Sequence, residues 1–282
     1  MIYLSSGGFK NLSGYDASLF LLENKISSIE LSGGKHDPNY LLNLKTLLPS
    51  CSFHVHNYFP PPDEPFVFNL ASIDNDISSR SFDHACKAIE LAKEVGSRIY
   101  SFHAGFLVDP KVSELGKKFK QLDIVEREIA LEIFINKVNE LSSFAKAKDV
   151  KLLIENNVYS RENSRNFCTN PFLMTGNAET IKIMSETDKN VGLLTDLAHL
   201  KVSSVTEGFC KKQYLDSTAE YTFAYHLSEN DGFADTNDPI SKDSWFWSHL
   251  RRDLKYYSLE VYENDIKILK EQIGIVNYKL SN

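Results

Sequence analysis

The sequence predicts a single (β/α)₈ barrel spanning residues 1–282, on three observations. Eight short runs of β-branched and aromatic residues alternate with longer amphipathic stretches along the whole chain. Each of the last six runs carries one side chain able to bind a metal, near its C-terminal end. The length of 282 residues suits one such domain, with no Gly/Ser linker or charge block to divide it.

The strand-like runs are, in order, 1–6, 26–33, 52–59, 98–105, 151–157, 191–198, 223–230 and 257–264. Helix-like stretches lie between them at 17–24, 81–95, 125–148, 178–186 and 265–272. The clearest is 125–148, where Ile129, Leu131, Ile133, Val138, Leu141 and Phe144 recur near helical spacing. Asn177 and Asn264 are candidate helix caps. The cluster Pro60–Pro62 reads as a stiff loop. Strand–helix alternation implies parallel pairing through right-handed crossovers, and a closed barrel is the economical solution. An open doubly wound sheet would carry a Gly-rich turn after its first strand. Here Gly7-Gly8 follows that strand without a G-x-G-x-x-G.

Composition narrows the function. Hydrophobic residues at 42% and charged residues at 24% are those of a globular chain. No uncharged run approaches the roughly 18 to 20 residues of a membrane helix. The opening residues lack a basic region followed by an apolar one, so no signal peptide is expected. Cys51, Cys86, Cys168 and Cys210 form no C-x-x-C pair, which argues against a disulfide framework and fits a cytoplasmic protein. A net charge of -7 argues against nucleic acid as the main partner.

The chemistry lies on the strand ends. His56, His103, Glu155, Asp196, His226 and Glu260 fall on six consecutive runs, at intervals of 47, 52, 41, 30 and 34 residues. Side chains alternate across a strand. Leu259 and Val261 facing the helices send Glu260 to the barrel axis, and Tyr225 and Leu227 do the same for His226. Phe53 and Val55 send both His54 and His56 inward; His54, deeper by two residues, reads as a packed neighbour. Buried carboxylates are paired or bound to metal, so a divalent cation is the expected partner of Glu155 and Glu260 where they converge with the histidines. The step Asp196-Leu-Ala-His199 places Asp196 and His199 on one helical face. His36, His84 and His249 lie on helical or loop stretches and receive no role.

These residues resemble the xylose-isomerase-like barrel superfamily, over nearly the whole chain. The superfamily includes sugar and sugar-phosphate isomerases and epimerases and the endonuclease-IV type of abasic-site nuclease. In the epimerase branch one divalent metal is held by Glu, Asp, His and Glu on strands five to eight. The resemblance assigns those positions to Glu155, Asp196, His226 and Glu260, makes Glu155 and Glu260 the proton-transfer pair, and makes His199 a substrate contact. The nuclease branch adds metal-binding histidines matching His56 and His103, and the phrase NLAS at 69–72 is similar to that branch. Its third metal site uses a D-x-H step; here Asp235-Thr236-Asn237 carries Asn in place of the second His. The insertion at 60–68 also departs from that pattern, and no clear Arg follows His226 as in some epimerases.

The expectation is therefore a metal-dependent isomerase or epimerase for a sugar or sugar phosphate, using Mn, Mg, Co or Zn. The alternative is a zinc phosphodiesterase acting on abasic DNA. Asn157, Arg161 and Lys201, on the loops after strands five and six, are candidate substrate contacts, with Arg165 a further phosphate candidate. A homo-oligomer is compatible with this reading, and no membrane partner is expected.

Overall fold

The structure is a computed structural model that describes residues 1–114 and 124–281. Eight strands close into a barrel in sequence order: β1 (Ile2–Ser5), β2 (Ser28–Ser32), β3 (Ser52–His56), β4 (Ile99–His103), β5 (Lys151–Glu155), β6 (Val191–Asp196), β7 (Thr222–Leu227) and β8 (Tyr256–Leu259). All neighbours pair in parallel, and β1 closes on β8 through Leu4 opposite Leu259. Six of the predicted runs contain their strands, and β7 and β8 each begin one residue before theirs. Glu260 lies one residue beyond β8, yet its backbone N–H still bonds the Leu227 carbonyl at 3.2 Å. The alternation therefore carries past the formal strand end.

The helices are α1 (Gly14–Glu23), α2 (Tyr40–Leu47), α3 (Asn75–Glu94), α4 (Arg127–Lys146), the short α5 (Arg161–Ser164), α6 (Asn177–Glu186), α7 (Leu197–Glu207), α8 (Lys211–Thr218) and α9 (Ile266–Ser281). Two expected caps shift. Gly176 caps α6 and Asn177 is its first residue, bonding only the next N–H, of Ala178. At α9 it is Asp265, not Asn264, whose carboxylate accepts the Lys267 N–H at 2.8 Å. At α6 the cap residue has no side chain, and at α9 the Asp265 carboxylate reaches a free N–H of the first turn. α7 ends on Gly208 at φ 75°, a conformation that costs glycine little.

Inside the barrel, residues two apart on a strand share a face. Tyr3, Leu153, Leu194, Ala224 and Tyr256 pack into an apolar plug. His54 belongs to it: its ring lies 4.0 Å from Tyr3 and 4.3 Å from Tyr256, and Nδ1 meets Ser97 Oγ at 2.9 Å. Two residues further along the same strands come His56, Glu155, Asp196 and His226, so a polar layer rests on the plug. A second core lies between strands and helices, built from residues such as Leu31, Val55, Phe102, Phe134, Leu152, Leu193 and Leu227.

The loops above the strands are tied together. Asn69, in the NLAS phrase, donates to the Phe106 carbonyl and Asp109 and accepts from the N–H groups of Ala71 and Phe106. A Cβ on Gly105 would lie 2.5 Å from the Ala71 Cβ, so only glycine permits this approach. No helix among the described residues is long and apolar enough to cross a membrane.

Candidate metal centre

Glu155 ends β5 after three apolar residues, and its carboxylate is fully buried. Histidines surround it: His56 Nε2 at 3.4 Å, His103 Nδ1 at 3.8 Å, His199 Nδ1 at 3.3 Å and His226 Nδ1 at 3.5 Å. Burial alone would raise its pKa, but the imidazoles of His103, His226 and His56 outweigh this and hold it well below the usual carboxylate range. One ligand atom each from Glu155, Asp196, His226 and Glu260 lies within 4.8 Å of all the others.

His226 is the hub of this group. Nδ1 stands 2.9 Å from Glu260 Oε2 and 3.7 Å from Asp196 Oδ2. On its other side, Nε2 meets Glu30 Oε2 at 2.9 Å, and Tyr256 OH donates to that same oxygen. Burial opposes a charge on His226, yet Glu30, Glu155 and Glu260 together raise its pKa well above the ordinary value. Glu30, burial notwithstanding, is held at about 2 by His226 and His56.

Asp196 serves two elements. Its Oδ1 caps α7 by accepting the His199 N–H at 2.7 Å, and Oδ2 faces the cluster. Burial, with Glu155, Asp235 and Glu260 nearby, pushes its pKa up to about 7 against the pull of His199. His199 Nδ1 donates to the Asn156 carbonyl at 2.9 Å, and Nε2 faces Asp235 Oδ2 at 3.2 Å. Both nitrogens meet acceptors, which fits an imidazolium. Its pKa stands well above normal, because Asp196, Asp235 and Glu155 outweigh its burial.

The chemistry of these donors fits a cation. Glu155 Oε1 and Oε2, Asp196 Oδ2 and His226 Nδ1 are buried and make no hydrogen bond. Buried polar atoms are normally satisfied, and here the unsatisfied ones share one point. Among the described residues no Lys or Arg forms an ion pair with Glu155, Asp196 or Glu260. A second group, His56, His103 and Glu155, is also close enough to hold a metal.

Above this layer lies a cavity of about 480 Å³. His103, His199, Asp235 and Glu260 meet it from below, and Phe66, Phe106 and Phe172 form an aromatic wall. Glu155 has no surface open to it. Asn157 lines the cavity, but its amide is spent on the carbonyls of Ala104, Gly105 and Leu173, so it braces the loops. The basic candidates fall elsewhere. Arg161 is exposed and stacks over Phe233 at 4.5 Å, and Arg165 is exposed. Lys201 pairs with Glu229 Oε2 at 2.6 Å and with the Asn230 carbonyl. None of the three lines the cavity. Local acceptors or rings hold Arg161 and Lys201 in place, which residue spacing does not disclose.

Sequence reasoning missed Glu30 and Tyr262, which approaches Glu260 Oε1 at 3.4 Å, and met Asp235 only as part of an incomplete D-x-H step. Glu30 had a signal: Ile29-Glu30-Leu31 has the same alternation as Leu259-Glu260-Val261. Asp235 and Tyr262 sit on irregular loops with no period to orient them.

The closed barrel and its polar mouth define the class, and the sequence itself matches the xylose isomerase-like TIM barrel family over residues 39–266. The chain belongs to that family. Among solved structures, it is similar to a D-tagatose 3-epimerase-like protein, with 19% identity, 99% of both chains covered and a TM-score of 0.70. An L-ribulose 3-epimerase shares 14% identity over 99% of this chain and 94% of that one, at a TM-score of 0.69. A xylose isomerase-like TIM barrel protein from Mycobacterium smegmatis, in complex with magnesium, shares 14% identity over 99% and 96%, at a TM-score of 0.68. At such identities the likeness is one of fold. No curated protein matches the sequence.

Proposed function

We propose that the protein is a divalent-metal-dependent isomerase or epimerase acting on a sugar, with Glu155 and Glu260 as its proton-transfer pair. The observation that carries this reading is the convergence of both glutamates with Asp196 and His226 in one buried group whose polar atoms lack hydrogen bonds. Glu155, Asp196, His226 and Glu260 would hold the cation, for which Mn, Mg, Co and Zn all suit a carboxylate-rich set with one imidazole. A bound cation supplies Lewis acidity that polarises a carbonyl and acidifies the adjacent carbon. Glu260 faces the cavity, so its carboxylate reaches the substrate carbon first and takes or returns a proton. Glu155 serves as the opposite member, kept ionised despite its burial by the surrounding histidines. His199, held as a donor by Asn156 and Asp235, stabilises negative charge on a substrate oxygen. The cavity has no Lys or Arg among its described lining residues, which favours an unphosphorylated sugar over a sugar phosphate.

One observation favours a second reading. His56, His103 and Glu155 form a further metal-capable group, as a multinuclear phosphodiesterase for abasic DNA would need. Against it, Asn237 is buried and accepts a hydrogen bond from Ser228 Oγ, and Asp63 and Glu64 put acid on the loop that DNA would approach. The test is deuterium wash-in to a panel of ketoses and their phosphates, run beside incision of an abasic duplex. Metal-dependent wash-in without incision is expected. Robust incision without wash-in would promote the nuclease.

A further inference from the structure

Glu30 is a carboxylate with no solvent exposure on β2, a strand that contributes no member to the proposed four-ligand set. Burying an anion in this way is costly unless it is paired. Its partners are an imidazole and a phenol, not Lys or Arg: Nε2 of His226 at 2.9 Å and the hydroxyl of Tyr256 both meet Oε2. Tyr256 brings its own proton to that oxygen, so Oε2 is an acceptor, and the imidazole must carry its proton on Nε2. In the neutral imidazole that a metal would bind, the lone pair of His226 is then on Nδ1, the atom that faces Glu260, Glu155 and Asp196.

We infer that Glu30 is the positioning residue of the centre, fixing both the tautomer and the ring orientation of His226 so that Nδ1 is offered as a ligand. The inference rests on the proposed role of His226 as a metal ligand and reaches one shell further out. A ligating imidazole commonly donates its other N–H to a carboxylate, and loss of such a partner costs about 10- to 100-fold in metal affinity. The arrangement joins strands that are not neighbours in the barrel. Glu30 of β2 reaches across the lumen to His226 of β7, and Tyr256 of β8 pins the carboxylate from beside His226. The geometry leaves Glu30 a competing role as a ligand itself, because Glu30, His56 and His226 also lie within metal-holding distance of one another.

Titration of the metal-free protein with Mn²⁺ against a chromophoric chelator separates these roles. Glu30→Gln keeps the shape and removes the charge; Glu30→Asp keeps the charge and withdraws the carboxylate from Nε2. Both variants are expected to weaken Mn²⁺ binding by about 10- to 100-fold with the same number of ions bound at saturation. Tyr256→Phe, which removes the second donor but spares the His226 contact, is expected to weaken binding less than either Glu30 variant. Weakening in Glu30→Gln alone would reduce Glu30 to a distant charge, and loss of one bound ion per chain would make it a ligand; either overturns the inference, as does parent-like affinity in both variants. Melting of each metal-free variant reports packing separately, and if Glu30→Gln does not fold, Glu30→Asp and Tyr256→Phe carry the comparison. A parent that takes up no Mn²⁺ sinks this inference and the proposed function together. A parent that binds Mn²⁺ but exchanges no sugar proton sinks only the function, because the Glu30 effect is read in affinity.

Discussion

Among the described residues neither Glu155 nor Glu260 has a Lys or Arg to pair with, and in the proposed four-residue set each alone would be replaceable. The informative change is therefore the double one. Glu155→Gln with Glu260→Gln removes two anionic ligands and keeps the shape, and is expected to lower retention of a divalent cation by at least about 100-fold. Elemental analysis after gel filtration, showing equal metal in parent and variant, would reject the assignment. A different histidine tests the electrostatics of the fold away from the site. His84 is buried on α3 against the Tyr58 ring at 5.3 Å, its Nε2 has no hydrogen-bond partner, and burial lowers its pKa to about 4. The unfolded chain, with its histidines near 6.5, then binds the extra proton first. Stability from a neutral His84 is complete above that value and is lost as pH falls from 6.5 toward 4, by about 2 to 3 kcal/mol. His84→Gln is expected to flatten this part of the pH profile in urea melts; parallel profiles for parent and variant would count against it.

Elements meet at single residues here, and Asp196 shows how. It ends β6, caps α7 through Oδ1 and turns Oδ2 to the cluster. Asp196→Asn retains an oxygen for the cap and drops the anion, so it is expected to weaken metal binding while changing metal-free stability by less than about 1 kcal/mol. Asp196→Ala loses the cap as well, costing about 1 kcal/mol more. Thermal melts beside a Mn²⁺ titration check both, and equal stability in the two variants would deny the cap its role. The same geometry explains what could be read from sequence. A strand has a period of two, so apolar neighbours fixed the inward direction of His56, His226 and Glu260 from the sequence, whereas Glu155 and Asp196 were read from their place at strand ends. Glu30 obeys the same period and was legible, though its run carries no second polar signal. The loops were not legible: Arg161 reaches Phe233 and Lys201 reaches Glu229 through long side chains whose direction no period sets. The two expected helix caps each slipped by one residue, since caps at Gly176 and Asp265 depend on how the preceding turn presents free N–H groups.

For the whole molecule, closing the barrel forces three carboxylates, Glu155 of β5, Asp196 of β6 and Glu260 just past β8, into one low-dielectric layer. The strain is visible in Asp196, which burial and its acidic neighbours lift to about 7. A metal-free barrel must therefore hold a proton there or bear the repulsion. A cation bound by the folded chain alone relieves this and stabilises the fold by mass action, by about 2.7 kcal/mol at a free concentration 100 times the Kd. That corresponds to a rise in Tm of roughly 5 °C for a chain of this size. Protons and metal compete for the same oxygens, so the rise is expected to shrink as pH falls below about 7, where Asp196 takes up its proton. The measurement is a set of melts at pH 7.5 and 5.5, each with Mn²⁺ and with a chelator. A larger metal-induced shift at the higher pH is expected in the parent and none in the Glu155→Gln, Glu260→Gln double variant. An equal shift in the double variant would place the stabilising ion elsewhere on the protein, and the barrel mouth would lose its claim to be the metal centre.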